Sequence, residues 1–234
     1  MSYHTKQAET SAIQDLNMRV WEGEFVSLVG PSGCGKTTVL SLIMGLLEPS
    51  AGSVGTRGVK MGYMLQRDHL LPWRTVEKNV LLGLEVQRKL TRQSRARVLD
   101  LLKTYGLWDF RSHLPAQLSG GMRQKVALIR TLATEPELLL LDEPFSALDY
   151  QTRLRVADEV YEIIQKEHKT AILVTHDISE AVSMSDRVLV FSCRPATVKT
   201  EIALPFPKTL SPLARRNEGD FHAYFQQIWG ELDQ

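Results

Sequence analysis

A chain of 234 residues in which 28 Lys and Arg nearly cancel 27 Asp and Glu, for a formal charge of +1, has no basic excess to grip a nucleic-acid backbone. Two cysteines, Cys34 and Cys193, are too few for a disulfide framework and read as reduced residues. No apolar run approaches the ~18 residues of a membrane span, and the start, Met1-Ser2-Tyr3-His4-Thr5-Lys6, lacks the apolar core of a secretory signal. A soluble intracellular protein is expected, one that needs a partner to hold it at any membrane.

The first residues are polar until Ile13, Leu16, Met18 and Val20, whose alternation predicts one half-buried strand. Gly23 then turns the chain into Phe25-Val26-Ser27-Leu28-Val29, a predicted buried strand. It opens onto Gly30-Pro31-Ser32-Gly33-Cys34-Gly35-Lys36-Thr37-Thr38, followed by a helical pattern from Val39. Strand, loop and helix are the context that the pattern G-x-x-x-x-G-K-[ST] requires of a phosphate cradle. Its glycines let successive N–H groups close on a phosphate chain, and the positive helix end adds to the attraction. In that role Lys36 reaches the terminal phosphates and the Thr37 hydroxyl ligates Mg²⁺. An accidental glycine-rich turn is the bland alternative. Because Cys34 lies inside the loop, its alkylation is expected to block nucleotide.

Glu48-Pro49-Ser50-Ala51-Gly52 reads as a turn, and residues 60–66 as a strand ending on Gln66. From Arg67 the character changes to two helical patterns, one through Val76, Val80 and Leu84, the next through Val98, Leu101 and Leu102. Thr91 is the predicted cap of the second, and Gly106 its stop. A further helix begins at Leu118-Ser119-Gly120-Gly121-Met122, where Ser119 caps it and two glycines leave the first N–H groups open to an anion. Taken alone, that stretch is equally a well-capped helix. Leu138-Leu139-Leu140-Leu141 predicts a buried parallel strand ending in Asp142 and Glu143, where open parallel sheets bind ligands. Asp142 is placed to order Mg²⁺ and its waters, and Glu143 to polarise a water for attack on a γ-phosphate. Ser146-Ala147-Leu148-Asp149 leads into another helix. Residues 171–174 form a strand ending at Thr175-His176-Asp177, and residues 187–191 one more. His4, His69, His113, His168 and His222 show no metal-ligand spacing and read as surface residues. In the tail, Phe221, Tyr224, Phe225, Ile228, Trp229 and Leu232 form a helical stripe expected to pack back on the core.

The loop at 30–38, Gln66, the stretch 118–122, Leu138 to Glu143, Ser146 to Asp149 and His176 occur in one order. That order resembles the ATP-binding subunit of ABC transporters over nearly the whole chain. Kinases and GTPases share the phosphate loop but leave the second anion site without a purpose. The resemblance implies an α/β fold: a P-loop NTPase (RecA-like) core with a parallel sheet, an antiparallel N-terminal β portion and an inserted α-helical subdomain. Residues 1–234 would form one ATPase domain, with core at 1–66 and 126–204, helical subdomain at 67–125 and tail at 205–234.

The same resemblance implies an ATPase, with ATP and Mg²⁺, working as a head-to-tail dimer with a second ATP-binding subunit, a copy of this chain. Each ATP would meet Gly30, Pro31, Ser32, Gly33, Cys34, Gly35, Lys36, Thr37 and Thr38 of one subunit and Leu118, Ser119, Gly120, Gly121 and Met122 of the other. Gln66 would touch Mg²⁺ and the attacking water, with Thr37 and Asp142 completing the metal set. Glu143 and His176 would act at the γ-phosphate, Asp149 would cross the dimer seam, and Tyr3 would stack on adenine. Family members usually carry another strand before that aromatic, whereas this chain starts almost on it. Met122, where many relatives have Gln or Glu, and the run 64–76 resemble the nitrate/sulfonate/taurine importer group. Transmembrane permease subunits are then expected partners, an extracytoplasmic solute-binding protein an indirect one, and the cytoplasmic face of the membrane the place of work. Leu70, Leu71 and Trp73 are the expected contact with the permease. An ATP-gated clamp on nucleic acid or ribosomes is a rival reading. Against it stand the neutral charge, the short helices between the two anion sites and the single cassette. An export ATPase is a third.

Overall fold

The computed structural model of the protein describes residues 2–4 and 9–233, with side chains from residue 12 onward. Its first strands, β1 (Ser2–His4) and β2 (Glu9–Ser11), pair antiparallel. The strand predicted across Ile13, Leu16, Met18 and Val20 does not form. Ile13 alone bridges, to Ala196, and Asp15 takes a φ of 47° that breaks the extended run. Leu16, Met18 and Val20 are still half-buried against the core while Asp15, Asn17 and Arg19 are exposed. Alternation reports one-sided burial, and a chain can achieve that without a hydrogen-bonded neighbour.

The main sheet contains β3 (Phe25–Val29), β4 (Met61–Met64), β5 (Leu138–Asp142), β6 (Thr170–Val174), β7 (Arg187–Phe191) and β8 (Val198–Ala203). Their order is β4-β5-β6-β3-β7-β8, parallel throughout except for β8, which runs antiparallel to β7. β8 is additional to the predicted strands. Exposed Lys199 and Glu201 alternate with the more buried Val198, Thr200 and Ile202, as suits a strand at a sheet edge. The inner strands β3, β5, β6 and β7 are buried on both faces, so they read as continuous apolar runs.

The helices are α1 (Lys36–Ile43), α2 (Val76–Val86), α3 (Arg92–Thr104), α4 (Gly120–Leu132), α5 (Tyr150–Lys166), α6 (Ile178–Met184), α7 (Pro212–Arg215) and α8 (Phe221–Leu232). Successive sheet residues divide between two cores. Leu139, Leu141, Ala171 and Leu173 join Val126 and Ile129 of α4 and Val156 and Val160 of α5, with α2 and α3 stacked beyond. Leu140, Ile172, Val174 and Leu28 point the other way, onto Val39, Leu40 and Leu42 of α1. Thus α1 and α4 lie on opposite faces of the sheet. Between β4 and β5 the described chain is helical, and Thr91 caps α3 in a reciprocal pair of bonds with Ser94. In the tail, Ile228 is buried and Phe221, Tyr224, Phe225 and Leu232 pack half-buried around it, whereas Trp229 is exposed. Among the described residues no helix is long and apolar enough to cross a membrane.

Candidate nucleotide site

Register decides where the polar strand ends meet. Met64 pairs with Leu141, Asp142 with Val174, and Leu28 with Val174, so β3, β4, β5 and β6 finish along one edge of the sheet. From that edge emerge the loop at 30–35, Gln66, Asp142 with Glu143, and His176. Residues up to 146 positions apart, Gly30 and His176, are collected by parallel pairing alone.

The phosphate loop is held by close approaches that only glycine permits. A β-carbon on Gly30 would sit 2.9 Å from Phe191 Cβ. Gly35, at φ 127°, caps α1, and a β-carbon there would come within 3.1 Å of the Ala12 carbonyl. Ser32 and Gly33 are exposed at the loop's crest. Lys36 is buried, and its ammonium donates to the Gly30 carbonyl at 2.7 Å and the Pro31 carbonyl at 3.0 Å. Those bonds aim the cation into the loop without neutralising it. Cys34 is also buried, its Sγ 3.7 Å from Lys36 Nζ. This corrects the expectation that Cys34 stands open to alkylation; Cys193 is the exposed thiol.

Beside the loop, the Thr37 hydroxyl donates to Asp142 Oδ1 at 3.1 Å and the Tyr63 hydroxyl to Asp142 Oδ2 at 3.1 Å. Burial pushes the Asp142 carboxyl up, and these two hydroxyls pull it back. Burial likewise raises the Tyr63 phenol, helped by the charge of Asp142, so that Tyr63 stays a donor. The donor set fits a small hard cation. It offers one carboxylate, one hydroxyl and the Gln66 amide, and Mg²⁺ characteristically takes one or two protein oxygens with phosphates and water. Among the described residues no cluster of three His, Cys, Asp or Glu forms a self-sufficient metal cage.

Glu143 adopts φ 44°, a left-handed conformation that costs a residue with a side chain of order 1–3 kcal/mol. Its amide donates to the Val174 carbonyl at 2.8 Å, which holds it there. Gln66 Nε2 lies 3.2 Å and His176 Nδ1 3.3 Å from the same oxygen, Glu143 Oε2. The Ser146 hydroxyl donates to the Glu143 carbonyl at 3.0 Å and receives Gln66 Nε2 at 3.4 Å. Gln66 and His176 therefore converge on one carboxylate oxygen of Glu143, an acceptor suited to taking a proton from water.

Ser119 caps α4 by accepting from the Met122 amide at 3.3 Å, and Leu118 is buried beneath it. The glycines here are also packing residues, because a β-carbon on Gly120 would meet Leu148 at 2.9 Å and one on Gly121 would meet Val156 at 2.7 Å. An open cleft of about 360 Å³ borders this helix start, lined by Asp68, Gly120, Arg123 and Leu148 among others. Asp149 is exposed and caps α5, and hydrogen bonding from Thr152 holds its carboxyl below the usual range.

The family model for ABC transporters matches residues 13–146, more than half of the chain and inclusive of both helix-terminus sites. The chain is a member of the ABC transporter ATP-binding family. It is 47% identical to the uncharacterized ABC transporter ATP-binding protein YtlC of Bacillus subtilis, over 99% of this chain and 92% of that one. It is 38% identical to the taurine import ATP-binding protein TauB of Yersinia pestis, over 95% and 92%. Among solved structures it resembles a dimeric, post-hydrolysis ATP-binding cassette, MJ0796, bound to ADP and Pi, with a TM-score of 0.71 and 31% identity over 88% of this chain and 96% of that one. The protein binds ATP and is an ABC-type ATPase on the P-loop fold expected for it.

Within this ABC cassette several partners escaped the sequence reading. Tyr63 on Asp142 is one, a contact across 79 positions from a strand whose end, Gln66, was the part read as functional. Arg194, on the turn after β7, donates to the Gly33 carbonyl at 2.7 Å, a pairing across 161 positions that no local pattern encodes. His113, expected at the surface, is half-buried against Phe110 with its Nδ1 enclosed. Of the expected permease contacts, Leu70 is buried in the core, Leu71 is half-buried and Trp73 is 74% exposed. The side chain of Tyr3 lies outside the described residues.

Proposed function

We propose that the protein is the ATP-hydrolysing subunit of an importer of the nitrate/sulfonate/taurine type, working as a head-to-tail homodimer beneath separate permease subunits. A second copy completes each site: residues 30–38 of one subunit hold the triphosphate and residues 118–122 of the other close over it. The observation that carries this reading is the placement of α1 and α4 on opposite faces of one sheet. Two anion-binding helix starts so separated serve one nucleotide most simply when they come from two chains. The dimeric form of the similar cassette MJ0796 and the name of the taurine relative lend further support.

In this site Lys36 and the loop amides bind the phosphates. Thr37, Gln66 and Asp142 hold Mg²⁺, which when bound neutralises developing charge on the phosphates. Glu143 accepts the proton of the attacking water, Gln66 orients that water, and His176 turns toward the γ-phosphate. Asp149 meets the partner across the seam, and Tyr3 stacks on the base. The helical subdomain at 67–125 carries the permease contact between two parts of core, 1–66 and 126–204, and the tail at 205–234 packs behind. A solute-binding protein delivers cargo on the far side of the membrane, while this subunit sits peripherally on the cytoplasmic face.

Glu143→Gln tests the chemistry. It preserves shape and the bonds to Gln66 and His176 but cannot take the proton. ATP binding is expected to persist, turnover to fall at least about a hundredfold, and an ATP-dependent dimer to accumulate on size exclusion. Turnover near the parental rate would remove Glu143 as the base. A monomer at saturating ATP would remove the shared site.

A further inference from the structure

Behind the catalytic edge, one arginine makes a second link between the loop at 146–149 and the segment that carries His176. Arg153 lies on the first turn of α5, after the loop at 146–149. Its Nη2 donates to the Leu148 carbonyl at 3.1 Å, and its Nη1 reaches Asp177 Oδ2 at 3.4 Å. Its Nε is buried, has no hydrogen-bond partner and stands 3.8 Å from Glu180 Oε1. Glu180 is itself buried, and its other oxygen accepts from the Thr175 hydroxyl at 2.7 Å. That hydroxyl oxygen in turn accepts from the Asp177 amide at 3.0 Å, while Asp177 Oδ1 caps α6 through the Glu180 amide at 3.2 Å. His176 is thus held between two residues whose side-chain oxygens reach Arg153, Asp177 directly and Thr175 by way of Glu180. At the other end Leu148 Cδ2 fills the space that a β-carbon on Gly120 would need, 2.9 Å from where that carbon would sit.

We propose that Arg153 is a positioning residue that ties the orientation of His176 to the state of the 146–149 loop. The planar guanidinium spans both loops at once. A donor left unpaired in a buried site is costly, and here it lies within one small shift of a carboxylate. Such an arrangement has a second, better-bonded geometry close at hand. Movement of Leu148, pushed through Gly120 or through Asp149, would turn the guanidinium, close the gap to Glu180 and reset the peptide that carries His176. The inference rests on the reading that His176 acts at the γ-phosphate.

The test is a double-mutant cycle on kcat with Arg153→Gln and His176→Ala, accompanied by ADP affinity and melting temperature. Arg153→Gln is expected to lower kcat by about tenfold while ADP affinity stays at the parental value. In the His176→Ala background the same substitution is expected to add nothing. Unchanged kcat in Arg153→Gln, or effects that multiply in the double variant, would overturn the link. Should His176→Ala hydrolyse at the parental rate, the reading of His176 itself fails and the link fails with it, a result distinct from the first two. If Arg153→Gln does not fold, Arg153→Lys takes its place. Lysine keeps the stem and charge, but a single ammonium cannot span Leu148 and Asp177, so the same loss is expected and parental kcat would again overturn the proposal.

Discussion

At Gly121 a β-carbon would lie 2.7 Å from Val156 Cγ2 and 3.3 Å from Thr152 Cγ2. Alanine would gain up to about 1 kcal/mol of helix propensity there. Overpacking typically costs 1–3 kcal/mol, and it prevails because Val156 is buried and β-branched, with little freedom to turn aside. Gly121→Ala should therefore lose about 1 kcal/mol net, a fall of a few degrees in Tm by thermal denaturation. A Tm at or above the parental value would mean that the glycine serves only anion access. From sequence, Gly120 and Gly121 were legible as open amides at a helix start. Their second role depends on which helix lies opposite, a fact of tertiary packing. Cys34 makes the same point in reverse: membership of the loop was legible, but its burial in the core was not.

Elements were legible in proportion to how local their causes are. Thr91 caps α3 three residues before Ser94, and the reciprocal bonds between them lie within one turn. Thr91→Ala should cost about 1 kcal/mol, lowering Tm by roughly 2–4 °C, with ATP turnover unchanged because α3 stands clear of the nucleotide edge. Loss of turnover without loss of stability would contradict that separation. The N-terminal segment failed for a complementary reason. Period-two burial at Leu16, Met18 and Val20 is real, but pairing needs a free neighbouring strand, and the chain instead bends at Asp15. β8 was missed because its inward positions, Val198, Thr200 and Ile202, include a polar threonine, so the period-two signal is weak in apolar residues although the burial alternates.

Across the whole molecule, the exposure of Trp73 bears on the proposed permease contact. An exposed tryptophan beside Leu71 on the helical insertion buries little surface in the isolated subunit, so Trp73→Ala should leave Tm and nucleotide binding near parental. In the assembled transporter it should uncouple hydrolysis from uptake. Unchanged uptake in reconstituted vesicles would remove Trp73 from the contact. Leu70 is no part of that test, since its burial makes it a core residue.

The sequence alone determined what depends on near neighbours: the strand–loop–helix of residues 25–43, the Ser119 and Thr91 caps, the acids ending a buried strand, and the family to which their order points. Those features arise from hydrogen bonds and apolar spacing within a few residues. Only the tertiary structure decided which polar groups share an atom. Gln66 and His176 meet on one oxygen of Glu143, Tyr63 and Thr37 divide the two oxygens of Asp142, and Arg153 bridges two loops. Each of those meetings is set by strand order and register, and pairing between strands distant in sequence leaves no mark on the residues in between.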